Sequence, residues 1–106
     1  MKTERIASKN ATFQKFEVLK TNRNKRYKYG EFFVEGVRNI NNAVLNGWEI
    51  VSFLYDETRE LSSWAMEKLG TVHTKVNYAL TPELIAELSG KEDTSELLAI
   101  IKMRED

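Results

Sequence analysis

Residues 31–55, EFFVEGVRNINNAVLNGWEIVSFLY, contain the signals of a strand, a helix and a second strand. The run at 50–54 is almost wholly apolar, which is typical of a strand buried on both faces. Gly36 permits a tight turn before the helix, and Asn46-Gly47 supplies a helix end. Apolar side chains recur at helical spacing in between, at Val37, Ile40 and Val44.

The same alternation continues on both sides of this unit. A first helix to about Lys20 has Phe13, Phe16 and Leu19 on one side, capped by Ser8 or Asn10. Leu61, Trp64 and Leu69 mark a helix that Gly70 closes, and a strand at 71–77 follows. Thr81-Pro82 starts a helix that Gly90 stops, before a last apolar strand. The predicted fold is a three-layer α/β/α sandwich around a mostly parallel four-strand sheet of residues 31–35, 48–55, 71–77 and 97–103.

Length and composition indicate one domain of ordinary size. The chain has 106 residues and no cysteine, which excludes disulfides, thiolate metal sites and a cysteine nucleophile. No apolar run approaches the roughly 20 residues that a membrane span needs. The start of the chain lacks the apolar core of a secretory signal, so we expect a cytoplasmic protein that does not enter a membrane.

Charge is distributed unevenly although the formal net charge is +0. The first thirty residues contain nine Lys/Arg and two acidic residues, whereas residues 31–106 contain seven Lys/Arg and fourteen acidic residues. The excess is greatest in the basic arm at 20–28, which lacks apolar periodicity and is predicted to be a loop. Such an arm on an acidic body suggests a surface for RNA or DNA, and the alternative is a solvated segment that only aids solubility.

The sequence contains no recognisable catalytic or metal-binding set. His73 is the only histidine, lies in a predicted strand and has no nucleophile nearby in sequence. No group of His or carboxylate residues has metal-ligand spacing, and the glycines are isolated rather than arranged in a phosphate loop. We therefore predict a domain without catalytic activity, cofactor or metal of its own.

Nucleic-acid contacts are instead predicted around the basic arm. Cationic and amide side chains would neutralise or bind phosphates, and Tyr27 or Tyr29 would stack on an unpaired base, unless these rings only support the loop. The phosphate-binding candidates are Lys9, Asn10, Lys15, Arg23, Lys25, Arg26, Lys28 and Arg38. Trp48 and Trp64 are predicted to lie in the core.

Several of these residues follow one family pattern in order. Ser8-Lys9-Asn10, Lys15, the Arg23/Arg26 stretch, Phe33-Val34-Glu35-Gly36 with Arg38 and Ala43, and Leu97-Leu98-Ala99-Ile100 are the matching elements. The chain resembles the N-terminal substrate-binding domain of the SpoU/TrmH-type RNA 2′-O-ribose methyltransferases, which shares its fold with kink-turn-binding large-subunit ribosomal proteins. The resemblance implies that Glu35 belongs to the RNA site beside the cations.

The resemblance also implies what the parent enzyme does. A knotted catalytic domain of that family binds S-adenosylmethionine and forms a homodimer, and no such segment is expected here. The chain would be one domain, with a helix and basic arm at 1–30 and the α/β/α body at 31–106, that positions RNA, most simply ribosomal RNA. Two alternatives stay open: a free-standing kink-turn-type RNA-binding protein, and a protein-interaction domain whose arm meets an acidic partner.

Overall fold

The computed structural model describes residues 2–89 and 94–104, which form five strands and five helices. In chain order the elements are β1 (Lys2–Ile6), α1 (Ala11–Thr21), α2 (Arg23–Tyr29), β2 (Glu31–Glu35), α3 (Val37–Leu45), β3 (Ile50–Asp56), α4 (Ser63–Thr71), β4 (Val76–Leu80), α5 (Pro82–Leu88) and β5 (Leu98–Lys102). The strand order is β1-β4-β3-β5-β2. Among these residues, no helix is long and apolar enough to cross a membrane.

The sheet separates two apolar cores, which confirms the predicted three layers. One core packs Phe13, Phe16 and Leu19 of α1 and the apolar side of α5 against the sheet. The other packs Ile40 and Ala43 of α3 and the flank of α4 against the opposite face. Strand β5 contributes alternate residues to both cores, so its uninterrupted apolar sequence is explained by burial on both faces.

The sheet has five strands, where the sequence predicted four. Strand β1 pairs in parallel with β4 at the edge of the sheet, and its first four residues are exposed. Its sequence Lys-Thr-Glu-Arg-Ile has no apolar alternation, because an edge strand with a solvated face needs little apolar surface. Backbone hydrogen bonding to β4 therefore stabilises a strand that hydrophobic patterning could not reveal.

The sheet is also mixed. Strands β1, β4 and β3 are parallel, whereas β5 is antiparallel to both of its neighbours, β3 and β2. The reason lies in the short helix α5, whose end at Ser89 is held at the carboxyl end of β2 by a 2.8 Å hydrogen bond from its Oγ to Glu35. The chain thus enters β5 from the edge where the other strands end.

The predicted ends and faces of the helices are confirmed in part. Asn10 caps α1, and α3 follows Gly36 and ends at Asn46, as predicted. Val37 is exposed rather than part of the buried face of α3, and α4 continues past Gly70. The predicted stop of α5 at Gly90 lies outside the described residues.

The strand predicted at 71–77 was placed too early, since β4 begins at Val76. His73 is therefore not in a strand, and its side chain is exposed. Thr74 is buried although it precedes the strand, because its hydroxyl is hydrogen-bonded to buried Asn77 at 2.9 Å. Trp48 and Trp64 are half-buried against the core below α3 and α4, as predicted.

Candidate nucleic-acid interface

The basic arm folds as a helix, so the prediction of a loop at 20–28 is wrong. Asn22 caps the start of α2, accepting a 3.1 Å hydrogen bond from the backbone N–H of Lys25. Gly30 ends the helix in the left-handed conformation (φ 69°), and its N–H donates to the carbonyl of Arg26 at 2.8 Å. None of the seven residues is buried, which is why no apolar periodicity marked this helix.

Arg26 connects α2 to the end of α1. Its Nε donates to the carbonyl of Leu19 and its Nη2 to the carbonyl of Lys20, both at 2.5 Å. Carbonyls in the last turn of a helix have no intrahelical donor, and a guanidinium satisfies two of them at once. Two donor atoms of the predicted phosphate ligand Arg26, Nε and Nη2, are thus engaged within the protein itself.

The other three cations of α2 face solvent. Arg23, Lys25 and Lys28 are exposed, and within the described ranges their side chains form no ion pair or hydrogen bond. Lys25 and Lys28 are three residues apart, so they lie on one face of the helix, and Arg23 lies one turn before Tyr27. The first turn of α2 contains no acidic residue, so nothing there offsets its positive end.

The sites predicted on and before α1 have partners inside the protein. The Nζ of Lys9 lies 2.9 Å from Oε1 of Glu87, and this hydrogen bond raises the pKa of Lys9 above its usual value. Asn10 accepts the backbone N–H of Phe13 at 2.9 Å. The Nζ of Lys15 lies 2.9 Å from Oε1 of Glu31 and 5.1 Å from the centroid of the Tyr29 ring.

Glu35 and Arg38 lie at the other end of β2 from Lys28. Glu35 accepts the hydroxyl of Ser89, whereas Arg38 is exposed at the start of α3. Helix α2 joins β2 through Gly30 at the amino end, and a five-residue strand is about 13 Å long. The predicted site residues therefore lie in three places: Lys9, Asn10 and Lys15 before and on α1, the cations of α2, and Glu35 and Arg38 at the end of β2 and the start of α3.

Two adjoining cavities lie where α2 meets the sheet, and sequence reasoning did not identify them. Their volumes are about 720 Å³ and about 440 Å³, and both are lined by Tyr29, Glu31, Val51 and Lys75. Lys102 and Arg104 line the larger cavity because β5 is antiparallel and ends at the edge where β2 and β3 begin. Tyr78 lines the smaller one, and burial together with Glu4 and Glu31 raises its pKa.

No metal-binding cluster of three or more His, Cys, Asp or Glu residues occurs in the part of the chain that the structure describes. Helix α2 presents three exposed cations that form no ion pair within the described ranges. The arrangement offers cations and exposed aromatic rings side by side, which suits binding of a polyanion with exposed bases.

Known proteins similar to this chain are RNA methyltransferases. A 23S rRNA (uridine(2479)-2′-O)-methyltransferase of Streptomyces viridochromogenes is 48% identical over 103 residues, covering 96% of this chain and 36% of that protein. The chain therefore spans about a third of the length of that relative. The crystal structure of the SpoU methyltransferase AviRb from the same organism, in complex with the cofactor AdoMet, matches with 48% identity and a TM-score of 0.84. That match covers 92% of this chain and 37% of AviRb.

A more distant structure shows the same fold. An AdoMet-bound rRNA methyltransferase from Sinorhizobium meliloti matches with a TM-score of 0.72 at 17% identity, over 98% of this chain and 38% of that one. At family level, residues 10–99 match the SpoU L30e-like domain. This match extends from the cap of α1 into β5 and includes every predicted site residue except Lys9, and the chain belongs to the SpoU L30e-like domain family.

Proposed function

We propose that this chain is the RNA-recognition domain of an S-adenosylmethionine-dependent RNA 2′-O-ribose methyltransferase that acts on ribosomal RNA. The family match and the 48% identity to a 23S rRNA methyltransferase support this function. Methyl transfer itself, cofactor binding and homodimer formation would depend on residues outside this chain. The parent enzyme would act in the cytoplasm.

The observation that carries the proposal is the composition of α2. Its seven residues contain four cations and no acid, and three of the cations are exposed without an ion pair among the described residues. A helix that only needed to be stable would place acidic residues at its positive end, and here Arg23 and Lys25 stand there. Contact with phosphates would offset that repulsion.

The residues that the structure describes do not form a site that fits S-adenosylmethionine. Each of the three glycines with positive φ, at 30, 36 and 47, flanks a single helix, and no two form a glycine-rich loop. The smaller cavity has apolar lining residues, among them Phe16, Val51 and Ile100, but the carboxylate in its lining, Glu31, is already paired with Lys15 and so is not free to bind a cofactor. The cofactor would bind elsewhere in the parent enzyme.

A free-standing kink-turn-type RNA-binding protein was the alternative. The relatives matched by this chain are methyltransferases about three times its length, which favours the enzyme domain. Both functions require RNA binding, whereas a protein-interaction domain does not.

The experiment measures binding of a 23S rRNA fragment by filter retention. The variant Lys25→Ala/Lys28→Ala is compared with the control Lys2→Ala/Lys68→Ala, which removes the same amount of charge elsewhere. Lys2 lies in β1, at the opposite edge of the sheet, and Lys68 lies in α4. If each lysine of α2 contributes about 0.7 kcal/mol, the first variant binds about tenfold more weakly. Equal affinities for the two variants would refute the proposed surface.

A further inference from the structure

The two cavities beside α2 form one continuous cleft along the edge of the sheet, here called the amino-edge cleft. It lies where β2, β3 and β4 begin and β5 ends. Two backbone hydrogen bonds connect the segments that line the cleft. The N–H of Met103 donates to the carbonyl of Gly30 (2.8 Å), and the N–H of Lys102 donates to the carbonyl of Glu49 (3.0 Å). The cleft is therefore formed before any ligand arrives.

Two tyrosines on the cleft are unusually accessible. Tyr27 is 68% exposed and Tyr29 is 47% exposed, and both line the larger cavity. Lys15 lies above the ring of Tyr29 and contributes a cation–π contact that orients it. Exposed rings fixed next to cations are the platform on which unpaired bases stack.

Some charged groups of the cleft form ion pairs or hydrogen bonds within the protein, and others do not. Lys75 and Lys102 are exposed and form no ion pair among residues 2–89 and 94–104. Arg104 is engaged with the protein, since it stacks 4.1 Å from the centroid of the Trp48 ring and donates to the carbonyl of Asn46. Of the acidic residues, Glu31 is paired with Lys15, and Glu49 offers an acceptor for the N–H groups of a base.

We propose that the amino-edge cleft binds an unpaired nucleotide of single-stranded RNA. The base of this nucleotide stacks on Tyr27, and the phosphates on either side of it contact Lys75 and Lys102. The RNA then continues along Lys25 and Lys28, because these lysines belong to the same helix as Tyr27. The inference rests on the proposed RNA-binding function, but the residues that carry it are different from those that test that function.

The dimensions and chemistry favour this ligand. A volume of about 720 Å³ is within the range of about 300–1,000 Å³ that accommodates a small molecule the size of a nucleotide. A duplex would present its bases stacked and paired, so it could not use the tyrosines. The cleft therefore distinguishes single strands from duplexes.

The test uses fluorescence anisotropy with two labelled probes, a ten-nucleotide oligouridylate and a ten-base-pair RNA duplex. Tyr27→Ala is compared with Leu45→Ala, which removes a large side chain that is 84% exposed on α3. We expect Tyr27→Ala to weaken oligouridylate binding about fivefold or more, with duplex binding unchanged. Lys75→Ala/Lys102→Ala should weaken oligouridylate binding relative to Lys2→Ala/Lys68→Ala. Circular dichroism and thermal unfolding verify that each variant is folded.

The outcomes separate this inference from the proposed function. If Lys25→Ala/Lys28→Ala weakens RNA binding and the cleft variants stay within twofold of their controls, the cleft proposal is wrong and the RNA-binding function stands. If no variant changes RNA binding, both are wrong. Calorimetry with uridine monophosphate alone is the second arm, and binding of this mononucleotide as tight as that of the oligouridylate would identify a free nucleotide as the ligand and overturn the single-strand proposal.

Discussion

The Nε of Arg26 lies 2.5 Å from the carbonyl oxygen of Leu19, so a residue of the basic helix is a structural part of the helix before it. Leu19 is fully buried and belongs to the core below α1 and α5. A second hydrogen bond runs from Nη2 to the carbonyl of Lys20, so the guanidinium donates to two carbonyl groups at the end of α1. Of the four cations of α2, Arg26 is therefore bound within the protein, whereas the other three face solvent.

Replacing Arg26 is expected to affect folding more than RNA binding. Arg26→Ala leaves two carbonyls without their donor and should lower the free energy of unfolding by about 2 kcal/mol, since hydrogen bonds from charged groups contribute about 1.5–3 kcal/mol. Arg26→Lys should restore only part of this, because an ammonium group lacks the planar fork. Arg23→Ala, at an exposed residue of the same helix, should stay within about 0.5 kcal/mol of wild type. Equal urea unfolding curves for Arg26→Ala and Arg23→Ala would contradict this role.

RNA binding should depend on salt in proportion to the number of lysines that contact phosphate. For single-stranded RNA each contact adds about 0.7 to the slope of log affinity against log salt. Lys25→Ala/Lys28→Ala should therefore reduce the magnitude of the slope by about 1.4, and Lys2→Ala/Lys68→Ala should leave it unchanged. Salt titrations between about 50 and 200 mM measure both slopes. If α2 only aided solubility, wild type and the two double variants would all have the same slope.

Asn77 is expected to be essential for the stability of the sheet. Its Oδ1 accepts the backbone N–H of Phe53 at 3.0 Å and the hydroxyl of Thr74 at 2.9 Å, in a buried position. Asn77→Ala leaves both donors unsatisfied and should cost about 1–3 kcal/mol in urea unfolding. Leu45→Ala, at an exposed position, serves as the control and should change stability by less than about 0.5 kcal/mol. A similar small change for Asn77→Ala would show that water replaces the amide.

The isolated chain should not bind S-adenosylmethionine or transfer a methyl group. It lacks a glycine-rich loop for the cofactor, and the carboxylate that lines its smaller cavity, Glu31, is already paired with Lys15. Isothermal titration calorimetry with the cofactor should give only the heat of dilution. Saturable binding in the micromolar range would disprove the assignment of the cofactor site to another part of the enzyme.

Stability should fall in acid partly through Glu57. Arg5 donates to this carboxylate through Nε (2.6 Å) and Nη2 (2.9 Å), and these hydrogen bonds hold the pKa of Glu57 below its usual value. Because the folded-state pKa is the lower one, the stabilisation is complete above the unfolded-state pKa of about 4.3. It is then lost as the pH falls through the folded-state pKa.

The variant Glu57→Gln tests this contribution. It should be less stable than wild type at pH 7, and the difference should shrink as the pH falls below about 4. Glu60→Gln is the control, because Glu60 forms no ion pair or hydrogen bond with another described residue. A difference between wild type and Glu57→Gln that is constant with pH would exclude the linkage.

Local signals were sufficient for most elements of the fold. The cap at Asn10, the turn at Gly36 and the apolar run at 98–101 each act over a few residues, so their patterns predicted helices and strands correctly. Helix α2 was missed because its stability comes from Asn22, Gly30 and the contact of Arg26 with α1 rather than from an apolar stripe. The excess of positive charge was evident from the sequence, but the contact of Arg26 with the end of α1 was not.

The sequence by itself determined the α/β class, the apolar strands and the charged segment, because hydrophobic periodicity, helix capping and charge are properties of neighbouring residues. Only the tertiary structure decided that the polar segment Lys2–Ile6 is a strand, since its backbone partners in β4 are distant in sequence. The same holds for the antiparallel direction of β5, which follows from where α5 ends. That direction brings Lys102 to the cleft beside Tyr27, because which side chains meet at the edge of a sheet depends on the direction in which each strand crosses it.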